Sequence, residues 1–391
     1  MTLPPTFQPP ADPLERLEDN PYPIFTRFRR FAGPMMWAQQ HWFILGHPEA
    51  MAVLRDTRLS SAPAAAGAAG ADPGAAGDAA AQRARRRGLV QQTFTPAFVE
   101  RFRPHTQKLV HALLDEAAAD ADLDLIADFA TPLALLVAAD VLGLRPEQAQ
   151  PVSAWVTGIT NSLAPPRGHR MLPGGGGPVI PTDEVRASVA AAIDAHRDRP
   201  HDDLIGLLAE ADGPDGRLDA DELLDVCLEL LVSAHLSTVD LIGNGVHALL
   251  GSPLQAERLR AEPHLITTGV EELLRYDPPI QRITRFATAD VELGGKTMER
   301  GQTVVILVGA ANRDPEVFEA PDSLDLSRDP NHHVTFGRGM RFCLGAPLAR
   351  LETQVAIGSL ITRFPALRLA GTLRRRKVRG ARGFAALPLA L

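Results

Sequence analysis

Residues 223–250, LLDVCLELLVSAHLSTVDLIGNGVHALL, set the scale of any fold this chain can adopt. Their apolar spacing is helical, and at 1.5 Å per residue they predict a rod of roughly 42 Å. A helix that is apolar on most faces has to be buried, so the rest of the chain must wrap it. With 391 residues, 45% of them hydrophobic, there is enough chain to do so. Asp225, Glu229, His235 and Asp240 interrupt the run and argue against a membrane helix. No stretch of about 18 uncharged apolar residues occurs elsewhere, so no membrane span is expected.

Around this rod the chain is punctuated by helices and a few short strands. PYPIFTRFRRF (21–31) reads as a helix, 35–38 and 42–45 as strands, and Pro48 as the first residue of another helix. The Ala/Gly-rich stretch 60–81 reads as a mobile loop because Gly and Pro interleave its alanines, with a basic helix opening after it at QRARRRGLVQQTF. Helical spacing runs through 98–140 and 184–211, and 163–181 reads as a second flexible segment. FATADVELGGKTMERGQTVVILV (286–308) has the strand, Gly-Gly turn and strand of a small sheet. The expectation is a mostly α, α+β protein, one domain over 1–391. Its β part lies mainly at 30–60, 280–310 and the C-terminal strands, its helical part mainly at 83–275 and 345–363. A formal charge of −7 argues against nucleic-acid binding. Two cysteines and a polar, proline-rich N-terminus without an apolar signal core suit the cytoplasm.

One of those cysteines stands in TFGRGMRFCLGAPLARLE (335–352). Cys343 falls just before a helix, where unpaired N–H groups and the dipole favour thiolate. Gly337, Gly339 and Gly345 allow close approach of a flat ligand over the sulfur, as suits an axial ligand to haem iron. Cys227, on the apolar rod, reads as a small core residue. The pattern Phe336-Gly337-x-Gly339-x-Arg341-x-Cys343-x-Gly345 closely resembles the haem-binding signature of the cytochrome P-450 family, in its soluble bacterial form, and the resemblance extends over almost the whole chain.

The resemblance implies a haem b cofactor with Cys343 as its metal ligand. It also implies a structural cluster in which Glu272 and Arg275 of EELLR, one helix turn apart, are joined by Arg328 of LDLSR. For the haem propionates it implies Arg83, Arg87, Arg285, His333 and Arg341. Arg83 and Arg341 replace histidines usual in bacterial members, but arginine still makes charge-assisted contacts with carboxylates.

The long helix breaks the pattern. Ser233, Ala234, His235, Leu236, Ser237 and Thr238 align with the family's Ala-Gly-x-Glu-Thr-Thr, whose acid and first alcohol help relay protons to dioxygen. Leu236 cannot relay a proton, whereas Ser237 keeps the alcohol and Thr238 stands beside it. Three alternatives remain open. Ser237, water and a substrate hydroxyl supply the protons; or the reaction needs little relay, as in phenol or C–C coupling, peroxide-driven oxidation or rearrangement; or Asp240 reaches in through water.

The resemblance further implies a monooxygenase that hydroxylates or epoxidises a medium-to-large, mostly apolar natural-product intermediate. The pocket would draw on 60–81, 163–181, Ser233, Ala234, Leu236 and Ser237 of the long helix, and Ile280, Gln281 and Arg282. No flavin or iron–sulfur motif is present, so ferredoxin and ferredoxin reductase are the expected electron donors to a monomer. Arg83, Arg85, Arg86, Arg87, Arg101 and Arg103 would form the docking patch. RRRKVRG (374–380) reads as a solvated turn. A non-catalytic homologue and a haem sensor are the rivals.

Overall fold

The computed structural model describes residues 20–61, 73–120, 122–161, 181–197, 202–376 and 380–391. The 163–181 expectation therefore falls almost wholly outside the described residues. The first part of the chain forms α1 (Tyr22–Ala32), β1 (Met35–Ala38), β2 (His41–Ile44), α2 (His47–Arg55), β3 (Leu59–Ser60) and α3 (Pro73–Thr93). α4 (Pro96–Glu100), α5 (Arg103–Asp120), β4 (Asp122–Asp124), a π-helical turn Leu125–Ala130, α6 (Thr131–Leu142), α7 (Pro146–Asn161), α8 (Asp183–Arg197) and α9 (Leu204–Glu210) follow. The remainder comprises α10 (Ala220–Leu250), α11 (Pro253–Ala261), α12 (Ile266–Tyr276), β5 (Arg282–Ala287), β6 (Val291–Leu293), β7 (Lys296–Met298), β8 (Thr303–Leu307), α13 (Val308–Ala311), α14 (Ala346–Arg363), β9 (Arg368–Leu369), β10 (Arg374–Arg375), β11 (Phe384–Ala386) and β12 (Pro388–Ala390). The mostly α, α+β reading is correct. One boundary moves: the helix expected to open after residue 81 begins at Pro73. Pro73 occupies the tolerated first position, and the alanines beyond it have the highest helix propensity.

α10 is the expected rod, 31 residues long. Asp219 caps it by accepting from Glu222 N at 2.8 Å, and Glu222 returns the bond by accepting from Asp219 N at 3.2 Å. Its apolar faces pack against α6, α8, α12 and α14, so it runs through the main core. Cys227 is fully buried there, and desolvation pushes its thiol up to about 12, as suits an inert core residue. Leu125–Leu142 and α10 both have the length and hydropathy to cross a membrane, but their apolar windows are 72% and 67% buried within the protein. They are core elements here.

The five-stranded sheet has the order β1-β2-β8-β5-β3. β2 and β8 run parallel, in register from His41↔Thr303 to Ile44↔Ile306, and the other pairings are antiparallel. β6 and β7 form a separate hairpin across Gly294 and Gly295. Between sheet and helices lies the Glu272 cluster. Arg275 Nε and Nη2 donate to Glu272 Oε2 and Oε1 at 2.7 and 2.8 Å. Arg328 Nε and Asn331 Nδ2 donate to the same carboxylate at 3.1 and 3.0 Å. Arg275 also donates to the carbonyls of Asn312, Pro321 and Ser323, which fixes the meander that leads into the cysteine loop.

Candidate haem-thiolate site

The cysteine loop is built on two left-handed glycines, Gly337 at φ 70° and Gly339 at φ 67°, a region that other residues enter at a cost. They turn the chain so that Cys343 N donates to Phe336 O at 2.9 Å and Phe342 N to Gly339 O at 3.0 Å. Phe336 packs on Leu241, Val270 and Leu274, which anchors the loop to α10 and α12. Arg350, one turn into α14, lies 4.6 Å above the Phe336 ring and donates to Glu271 at 2.6 and 2.8 Å.

The Cys343 side chain is exposed on one side and enclosed by protein on the others. Enclosure raises its thiol pKa, against the pull of the Gly345 N–H, the Arg87 guanidinium, the Ala346 N–H and Arg350. The net direction is upward. The start of α14 alone therefore does not make the thiolate expected from sequence; a cation bound over the sulfur would, because a coordinating thiol is deprotonated outright.

Four guanidinium groups gather beside it. Arg341 is lowered in pKa by burial and by its neighbours Arg83 and Arg87, and Arg285 is pushed down to about 10 by burial and by Arg341. Their bonds go to backbone carbonyls: Arg341 to Leu59 at 3.0 Å, Arg285 to Thr284 at 2.9 Å, and Arg87 to Phe342. The Nε atoms of Arg87 and Arg285 are buried without a partner among the described residues. Mutually repelling cations with orphaned donors demand an anion from outside, and the two carboxylates of a haem fit that demand. His333 does not join them. Its Nε2 bonds Glu271 at 3.1 Å and its Nδ1 accepts from Thr335 N at 3.3 Å, so both ring nitrogens are engaged elsewhere.

The opposite wall is α10. Arg87 lies within electrostatic reach of both Cys343 and Glu229, so the helix and the loop face each other across it. Midway along a buried rod, Ser233 is exposed and Ala234, Leu236 and Ser237 are half-open. Thr238 is turned inward and held to Ala234 O at 2.8 Å. His235 is 0% exposed, and burial with nearby Arg376 drives its pKa down to about 3, so it is neutral. Asp240 is 2% exposed and paired with Arg376, which removes it as an acid reaching toward the site. Ile280 and Arg282 are half-buried at the start of β5. Gln281 is turned to Pro278 O, at 2.8 Å, and to Tyr22.

Two arginine groups differ from expectation. Arg376 of the presumed solvated turn is buried on Asp240, and Arg375 donates to Asn244 at 3.1 Å and stacks 3.8 Å from the Phe384 ring. Arg85 and Arg86 of the presumed docking patch pair with Glu222, Arg101 with Asp202, and Arg103 with Glu100.

The Cytochrome P450 family profile matches residues 183–377. The biotin biosynthesis cytochrome P450 of Bacillus subtilis is 37% identical over 306 residues, covering 78% of this chain and 76% of that protein. The chain belongs to the cytochrome P450 family. This P450 is also 35% identical over 356 residues to the 6-deoxyerythronolide B hydroxylase of Saccharopolyspora erythraea, covering 85% and 84% of the two chains. The polyketide synthase P450 PksS of Bacillus subtilis, a solved structure, superposes with a TM-score of 0.81 at 30% identity, over 98% of this P450 and 99% of that chain. Membership makes this protein a haem-thiolate oxidoreductase of the monooxygenase type.

Proposed function

We propose that this P450 binds haem b with Cys343 as axial ligand and inserts oxygen into a medium-to-large, mostly apolar natural-product intermediate. The observation that carries the reading is the open Cys343 sulfur beside Arg87, Arg285 and Arg341, whose guanidinium groups bond backbone carbonyls and form no ion pair among the described residues, with exposed Arg83 next to them. Arg83, Arg87, Arg285 and Arg341 would hold the propionates. When bound, the haem supplies the activation of dioxygen. Ser233, Ala234, Leu236 and Ser237 would line the substrate side, where Leu236 adds apolar area. Relatives support the substrate class: they include a 6-deoxyerythronolide B hydroxylase, a polyketide biosynthesis P450 and a P450 solved with a fatty acid carried on acyl carrier protein. Action as a monomer in the cytoplasm belongs to the same proposal.

Electrons would come from a ferredoxin and its reductase. With Arg85, Arg86, Arg101 and Arg103 neutralised, the docking patch moves to the cysteine-loop surface. There the Arg55 backbone lies against Gly339, Arg338 stands within reach of the Arg55 charge, and Met340 is 73% exposed. Leu236 favours one second reading, a coupling, peroxide-driven or rearrangement reaction that does not need the helix acid.

Reduced protein under carbon monoxide should show the red-shifted Soret band of thiolate ligation. Binding spectra against polyketide, terpene and peptide intermediates, followed by product analysis, should then identify an oxygenated product. A protein without the band would return the non-catalytic homologue, and the band without turnover would return the sensor.

A further inference from the structure

The missing acid at Leu236 leaves α10 without its usual proton donor beside Ser237. Four Asp, Glu and His side chains lie along it from its second turn to its centre. Asp225 pairs with Arg86 and Arg186. His235 is buried and neutral, and Asp240 is locked on Arg376. Glu229 alone of the four is exposed and makes no ion pair among the described residues, with the Arg87 guanidinium within electrostatic reach as the charge that faces it. It sits four residues before Ser233, which sits four before Ser237.

We propose that Glu229, Ser233 and Ser237 form a proton ladder along α10 that takes the place of the absent acid. The inference rests on the monooxygenase reading. Side chains at i and i+4 are neighbours on a helix, roughly 6 Å apart at Cβ. One water spans each such gap, a distance over which general acid–base catalysis operates. All three side chains lie on the open stripe of the helix, flanked by half-open Ala234 and Leu236. Ser237 Oγ donates to Ser233 O at 3.4 Å, a long and weak bond from which the hydroxyl can turn, whereas Thr238 is held at 2.8 Å. Ser237 is therefore the mobile end of the path. Glu229 takes a proton from solvent and passes it through water to Ser233, which releases its own hydroxyl proton through water to Ser237, and Ser237 releases its own on the open side of the helix where the reaction consumes it, so that each hydroxyl is regenerated. Only O–H bonds are made and broken, no electron moves, and Glu229 returns to carboxylate. Glu229 and Ser233 act through Ser237 and are positioning residues in this sense.

The test uses holoenzyme with dioxygen, NADPH and a surrogate plant-type ferredoxin and its reductase, and reads dioxygen uptake without added substrate, so that neither the native redox partner nor the native substrate is needed and the protons of the reduced product must come from solvent. Glu229→Gln and Ser233→Ala should each slow dioxygen uptake at least tenfold, below the full range of general acid–base effects because water can partly bypass a missing rung. Both should change the solvent isotope effect on the rate, and Ser233→Thr should restore both quantities. Imidazole binding and the carbon monoxide spectrum should stay as in the parent. Rates within twofold of the parent with an unchanged isotope effect would overturn the ladder. A parent protein lacking the thiolate band would instead overturn the monooxygenase reading on which it rests.

Discussion

Two clusters of arginine lie near the cysteine loop, and they are satisfied in opposite ways. At Glu272 the chain supplies its own anion: one carboxylate takes Arg275, Arg328 and Asn331, and the remaining guanidinium donors find carbonyls. Around Arg341 no carboxylate forms an ion pair among the described residues, and Glu229 comes only within electrostatic reach of Arg87. Arg83, Arg87 and Arg285 crowd the same space, and two Nε atoms are left over. A cluster complete in itself is scaffold; one that stays incomplete is a socket for something charged that the sequence does not encode. The same residue type thus plays both parts, and only the accounting of partners separates them.

The sharpest way to break this contrast is to remove one arginine from each cluster. Arg275→Ala leaves Glu272 buried with much of its compensation gone and should cost about 3–5 kcal/mol in urea unfolding. Arg285→Ala should leave apoprotein stability almost unchanged or slightly raised, because it relieves repulsion. It should instead weaken haem retention by the worth of a charge-assisted bond, about 1.5–3 kcal/mol, or roughly ten- to a hundredfold in haem transfer to apomyoglobin. Equal stability losses in the two variants would erase the distinction.

Acid should act on buried groups held away from their solution state. His235 has its pKa lowered from 6.5 to about 3, so the unfolded chain binds its proton first. Glu271 has its pKa lowered from 4.5 to about 2; burial pushes it up, but the hydrogen bonds from Arg350 and His333 outweigh that. Both groups have folded pKa values below the unfolded ones. Their stabilisation is present above the unfolded values and is lost as pH falls, through His235 from below about 6.5 and through Glu271 from below about 4.5. His235→Asn should flatten the first part of that loss in urea titrations between pH 7 and 5. A His235→Asn profile as steep as the parent's would remove His235 from the account.

The smallest expected effect is at the surface. Arg338→Glu should slow reduction by a ferredoxin several-fold at low salt, and the gap should close as salt rises. A salt-independent difference would speak against steering at this face.

What was legible in the sequence was local. The glycines around Cys343, the one-turn spacing of Glu272 and Arg275, and the apolar rod are all written within a few residues, and the structure realises them. What was not legible depends on distant partners. Arg376 reads as solvated until Asp240, 136 residues away, is found beside it. Arg85 looks like a docking cation until Glu222 takes it, and His333 looks like a propionate partner until Glu271 takes it. Leu236 was legible as a gap, but Glu229 as its replacement was not. Only the burial of the surrounding helix shows that Glu229 and the serines share the open stripe.

The Asp240–Arg376 pair also has a temporal side. While the chain is still on the ribosome, the centre of its longest helix carries a carboxylate whose counter-charge has not yet been synthesised. Removing residues 377–391 would leave that arginine but take away the strands Phe384–Ala386 and Pro388–Ala390 beyond it. Asp240 can therefore be buried as a neutralised pair only after a residue 136 positions further along the chain has been made.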